Sequence, residues 1–249
     1  MIFSAESLKK FYKTTPITFI NVVAVTVMYI ITIISGGFTN ANLLRLGALF
    51  PPSIYLNGEY WRLFTVMFLH GSFTHYLFNT LFGLVIISAT LERLIGPVRF
   101  GILYFVSGLL ASLTIYAGFL ITAEATLGVG ASGAIYGVLG AFLYLTFRRP
   151  QWFSPSDISS IRGLIFVNVI FTFLVPNISV GAHLGGLGAG LLLGVFIAPK
   201  TPFFKGKAQG FRSPYEAYDP FETPYQNLED VVIIEDDGED PEDPWGRYS

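Results

Sequence analysis

Ser132 sits in the run Gly130-Ala131-Ser132-Gly133, and His183 in Ala182-His183-Leu184-Gly185-Gly186. A serine hydroxyl becomes a nucleophile when a neighbouring base takes its proton, and a neutral histidine is the usual base. Attack on a carbonyl then creates a tetrahedral oxyanion that needs donors already in place. His75 and Asn79, four residues apart and so on one helix face, offer two such donors. The amide of Ser132, at a helix start, offers a third. Gly130 and Gly133 leave room for a substrate backbone to approach. A triad would need a buried acid, and Asp157 is the only aspartate before residue 200, so a Ser–His dyad is the serine-hydrolase arrangement left. The chain has no cysteine, no H-E-x-x-H pair and no aspartate in an apolar run, which removes thiol, zinc-protease and aspartyl schemes. Neither a metal nor a cofactor is expected.

These residues must be held by apolar elements. The chain of 249 residues is 52% hydrophobic and only 13% charged, where a soluble domain carries about 25% charge. Crossing about 30 Å of hydrocarbon takes about 20 mostly apolar residues. Candidate spans lie near residues 16–35, 73–91, 98–119, 131–147, 163–179 and 181–198. The expectation is an all-α polytopic membrane protein with six transmembrane helices in residues 1–199. The first run is too long, and too poorly followed by a cleavage site, for a signal peptide. Twelve Lys/Arg flank alternate loops and the termini, from Lys9 to Arg212, against Arg45 and Arg62 in the others. That bias puts both termini in the cytoplasm. Spans two, four and six then start at the outer face, and His75, Asn79, Ser132 and His183 share one depth near those starts.

The first loop, residues 36–72, is apolar and aromatic and suits an interfacial position. Residues 200–249 hold 5 Lys/Arg and 12 Asp/Glu, are aperiodic, and are expected to form a disordered cytoplasmic tail. The run Val231–Ile234 there is either a docking peptide for a cytoplasmic partner or simply a short apolar stretch. No basic cluster suits nucleic acid. Each motif taken singly also has a plainer reading. Small residues such as Gly186 and Gly190 line packed membrane helices. Tyr136 either stacks on His183 or fills the core. Glu92 with Arg93 suits a snorkelling or paired charge at the inner boundary better than a catalytic acid. A small channel or transporter could use the same polar groups, but no repeat and no intramembrane acid for ion coupling supports one. The combination at one depth favours a site.

The ordered set resembles the rhomboid family of intramembrane serine proteases. Trp61-Arg62 with His70, then His75-x-x-x-Asn79, Glu92 with Gly96, Gly130-Ala131-Ser132-Gly133, Tyr136, and Ala182-His183 followed by Gly186 and Gly190 are similar to its motifs, over roughly residues 16–198. The resemblance implies a six-helix bundle around a wet cavity open to the outside. It implies Ser132 as nucleophile and His183 as base. His75, Asn79 and the Ser132 amide would form the oxyanion hole, with Tyr136 as a stacking partner. His70, Trp61 and Arg62 would be structural parts of the first loop. Substrates would be transmembrane helices in a lipid bilayer, most simply the plasma membrane. A non-proteolytic member that escorts membrane clients would keep the bundle without the chemistry.

Overall fold

The computed structural model describes residues 5–176 and 178–203. The acidic segment with Val231–Ile234 lies outside them. The described chain is mostly helical, and its one β-like feature is an isolated bridge between Leu49 and Gly128. A short helix α1 (Ala5–Thr14) leads into α2 (Pro16–Gly36), where Pro16 takes the first helical turn, a position that has no N–H to lose. The first loop is helical in pieces: α3 (Asn40–Leu46), α4 (Pro51–Asn57) and α5 (Arg62–Thr65). Arg62 staples them by donating to the carbonyls of Leu44 at 2.7 Å and Ala48 at 3.0 Å, while its guanidinium lies over the Trp61 ring.

The next rod, Phe73–Ile95, is built from α6 (Phe73–Leu77), a wide π-helical stretch (Phe78–Ser88) and α7 (Ala89–Ile95). Then come α8 (Pro97–Thr122), α9 (Ser132–Arg148), α10 (Pro155–Leu174) and α11 (Val180–Ile197). Among the described residues, five helical rods are long and apolar enough to cross a membrane, making this a multi-pass membrane protein: Pro16–Gly36, Phe73–Ile95, Pro97–Thr122, Pro155–Leu174 and Val180–Ile197. At 17 residues, α9 is shorter, about 26 Å at 1.5 Å per residue. It lies against α8, α10, α11 and the π-helical stretch, and every residue from Gly133 to Phe142 is buried.

Two expectations change. Hydropathy puts the fifth apolar run at 163–179, yet α10 begins at Pro155. Ser154 and Asp157 form a capping box there, with Ser154 Oγ accepting from the Asp157 amide at 3.1 Å and Asp157 accepting from the Ser154 amide at 3.0 Å. Two satisfied end groups outweigh the polarity of the first turn, so Ser154 caps α10 and Asp157 sits in its first turn. Glu92 does not snorkel: the Arg93 charge acts on it, but the carboxylate itself is committed elsewhere. It is fully buried, and its carboxylate accepts from the amides of Ile17 at 2.9 Å and Thr18 at 2.8 Å. Thr15, which precedes α2, makes no capping bond with its side chain, so Glu92 satisfies that helix start from α7. Beyond α11, the Phe203 amide donates to the Leu94 carbonyl at 2.9 Å and the Phe203 ring packs on Gly96.

Candidate active site

Ser132 opens α9, and the loop before it is sewn to the first loop. Leu49 and Gly128 exchange backbone hydrogen bonds of 2.9 and 2.8 Å, and the Gly130 amide donates to the Val66 carbonyl at 3.0 Å. Gly130 adopts φ +128, open to glycine at little cost. A β-carbon there would also stand 2.8 Å from His75 Nε2 and 3.6 Å from Ser132 Oγ. That contact brings the His75 ring to the same corner as Ser132.

The register of α11 on α9 places His183. A β-carbon at Gly186 would strike the Gly133 carbonyl, one at Gly190 the Gly137 carbonyl, and one at Gly140 the Leu187 carbonyl. The two backbones therefore touch along a stripe without side chains. Ser132 immediately precedes the first of these contacts on α9, and His183 lies three residues before it on α11. Ser179 caps α11 by accepting from the Ala182 amide at 3.3 Å.

His183 is buried, and its ring stacks on Tyr136 with centroids 3.9 Å apart and planes 18° apart. Of the two readings of Tyr136, the stacked one holds. His183 Nδ1 lies 3.0 Å from Thr172 Oγ1 on α10, and the Tyr136 hydroxyl donates to the Asn168 carbonyl at 2.7 Å. Among the described residues no hydrogen bond joins Ser132 to His183; such bonds commonly tighten only when substrate is present. Asn79 is buried on the helix face of His75, with Nδ2 donating to the His75 carbonyl at 2.9 Å, which leaves its second N–H uncommitted. Ser72 caps α6 by accepting from the His75 amide at 3.1 Å.

His70 lies in the first loop behind this group. Its ring is 1% exposed and meets His75 edge-on at 5.0 Å and Tyr76 at 6.0 Å. Among the described residues, neither ring nitrogen has a partner of ordinary hydrogen-bond geometry. Burial, with His75 beside it, pushes its pKa down to about 3, against a smaller opposite pull from the Phe68 backbone. It is a neutral ring at any physiological pH.

The fold thus brings Ser132, His183, His75, Gly130, Gly133 and Tyr136 to one corner, with Asn79 a turn along from His75. Asn168 and Thr172 escape the sequence reading, although polar residues four apart in an apolar helix are a readable pattern. Residues 57–200 match the family profile described as Rhomboid domain. The chain is similar to the rhomboid protease GluP of Bacillus subtilis, 33% identical over 188 residues, which is 75% of this chain and 36% of that one. A second Bacillus subtilis protein named for this family, YdcA, is 36% identical over 145 residues, 58% of this chain and 70% of its own. RHOMBOID-like protein 1 of Arabidopsis thaliana is 36% identical, over 72% of this chain and 46% of its own. The chain therefore spans between about a third and 70% of these relatives' lengths.

Proposed function

The chain belongs to the rhomboid family, and from that premise we propose that it is an intramembrane serine endopeptidase acting on transmembrane helices of other proteins. Ser132 Oγ attacks the substrate carbonyl carbon while His183 Nε2 takes its proton. The oxyanion is held by the Ser132 amide, the His75 ring and the free N–H of Asn79. His183 then protonates the leaving amine, and water, activated by the same ring, releases the acyl group from Ser132. Gly130 and Gly133 keep the approach open, and Tyr136 sets the plane of the His183 ring. One observation carries this reading: backbone contact of Gly133 with Gly186 and of Gly137 with Gly190 seats Ser132 and His183 at one level.

In this reading α9 is a sixth span, shorter than the hydrocarbon by about 4 Å. Its start is therefore recessed, and hydrolysis there needs a wet cavity closed to lipid. The site opens outward, with both termini in the cytoplasm. In support, Arg148, Arg149 and the α7–α8 turn with Arg93 and Arg99 lie at helix ends remote from Ser132. Residues 1–199 are the membrane domain and 200–249 a cytoplasmic tail. A peptide bond becomes attackable where glycine, proline or a polar residue lets the substrate helix unwind.

The test is a fluorophosphonate label and cleavage of a single-span substrate by wild type, Ser132→Ala and His183→Ala. Both variants should fold and be inert, and the double variant no worse than either. Undiminished turnover in Ser132→Ala overturns the reading. For orientation, single cysteines at Thr126 and Ser154 should react with an impermeant maleimide on intact cells at 126 only. Reaction at 154 alone would invert the topology.

A further inference from the structure

We infer that Thr172 on α10 is a positioning residue for His183, the hydroxyl that decides which ring nitrogen carries the proton. This rests on His183 being the base. The hydrogen-bond arithmetic around Thr172 admits few solutions. Besides the helical amide of Thr172, the Asn168 carbonyl receives the Tyr136 hydroxyl at 2.7 Å, and the Thr172 hydroxyl lies 3.0 Å from the same oxygen and 2.7 Å from the Tyr136 hydroxyl oxygen. A threonine hydroxyl has a single proton. With the Tyr136 proton on Asn168, the 2.7 Å contact between the two hydroxyl oxygens takes the Thr172 proton, and Thr172 Oγ1 has only lone pairs to turn towards His183 Nδ1, 3.0 Å away. The contact is then a hydrogen bond only when Nδ1 itself carries a proton. Nε2 is left bare, which is the tautomer that can accept the Ser132 proton.

The reverse arrangement is poorer. Were Thr172 to donate to Nδ1, the neutral ring would carry its proton on Nε2 and could not serve as base there. Thr172 is 1% exposed, so solvent has little access to replace either bond. The Tyr136 hydroxyl also lies 2.7 Å from Thr172 Oγ1, so the ring that stacks on His183 braces the group that orients it. A hydroxyl on a helix backbone thus takes the orienting part of the missing acid, without bringing a charge into the bilayer.

The placement has a second consequence. Of all α10, only Ile165 and Thr172 are buried. Towards the C-terminal end of α10, its buried polar contact with the site is Thr172, so a base set for proton transfer depends on α10 being seated. A shift of α10 away from α11 would release Nδ1 and let the ring change tautomer.

Thr172→Val keeps the shape and removes the hydroxyl; Thr172→Ser keeps the hydroxyl. In full-length protein, Thr172→Val should lower kcat about 10- to 100-fold, the range seen when the hydrogen-bond partner orienting a metal-bound histidine is lost, with KM unchanged. Thr172→Ser should stay near wild type. The chain has three histidines, so ¹⁵N-histidine spectra resolve three rings, with His183 assigned by its loss in His183→Gln. Wild-type His183 should be protonated on Nδ1, and in Thr172→Val it should become mixed or protonated on Nε2. A wild-type His183 protonated on Nε2, or wild-type kcat in Thr172→Val, overturns the inference even if Thr172→Val folds poorly in one detergent, because the wild-type spectrum needs no variant at 172. An active Ser132→Ala would instead sink the protease reading and leave the tautomer result standing.

Discussion

α9 and α10 are neighbours in sequence and similar in length, 17 and 20 residues, yet they live in different surroundings. From Gly133 to Phe142, α9 is buried on all sides. On α10, Phe166, Phe173 and Leu174 are each more than 60% exposed. Hydrophobicity does not separate the two, because a lipid tail is as apolar as a leucine and gives no reason to hide one. Size does. Glycine and alanine on α9 let other backbones come into contact, whereas the large side chains of α10 fill the space towards lipid. Precision follows the same division: Ser132 and His183 stand on the helix pair whose backbones touch, and the peripheral helix reaches His183 through Thr172.

The strongest way to break this contrast is a methyl group at the backbone contact. Gly190→Ala places a β-carbon against the Gly137 carbonyl, with no flexible side chain to yield. It should destabilise by about 1–3 kcal/mol or more, the range for overpacking, and lower turnover by separating Ser132 from His183. Thermal unfolding in detergent, with cleavage rate on the folded fraction, measures both. If Gly190→Ala unfolds like wild type, the α9–α11 contact is looser than described.

The smallest effect sharpens the contrast. Among the described residues, Gly188 on α11 and Gly163 on α10 have no neighbouring atom within 4 Å of an added β-carbon. Alanine at either should leave turnover unchanged and shift stability by no more than about 1 kcal/mol, in the stabilising direction where helix propensity acts. The same substitution two residues apart on α11 would then have opposite consequences. A large loss at Gly188 would point to a partner on that face.

Much of the site is legible in the sequence, because polar residues are costly in hydrocarbon and stand out against it. Ser132, His183, His75 and Asn79 are noticeable for that reason, and Gly186 and Gly190 are recognisable as a packing face. Helix ends are harder. Hydropathy starts the fifth run at residue 163, since it weighs apolarity and cannot weigh the Ser154–Asp157 cap that starts α10 at Pro155. Glu92 is harder still: its partners, the amides of Ile17 and Thr18, lie about 75 residues away along the chain.

By itself, the sequence determined that this chain is a helical membrane protein, and it singled out Ser132, His183, His75 and Asn79 as polar side chains in apolar runs. Transfer free energy and positive-charge bias depend on residues and their order alone. Only the tertiary structure decided who holds whom: Tyr136 under the His183 ring, Thr172 on its Nδ1, Glu92 on the start of α2. Those choices depend on the rotation and offset of one helix against another. Close packing of small residues sets both, and a single helix carries no record of the angle at which its neighbour will meet it.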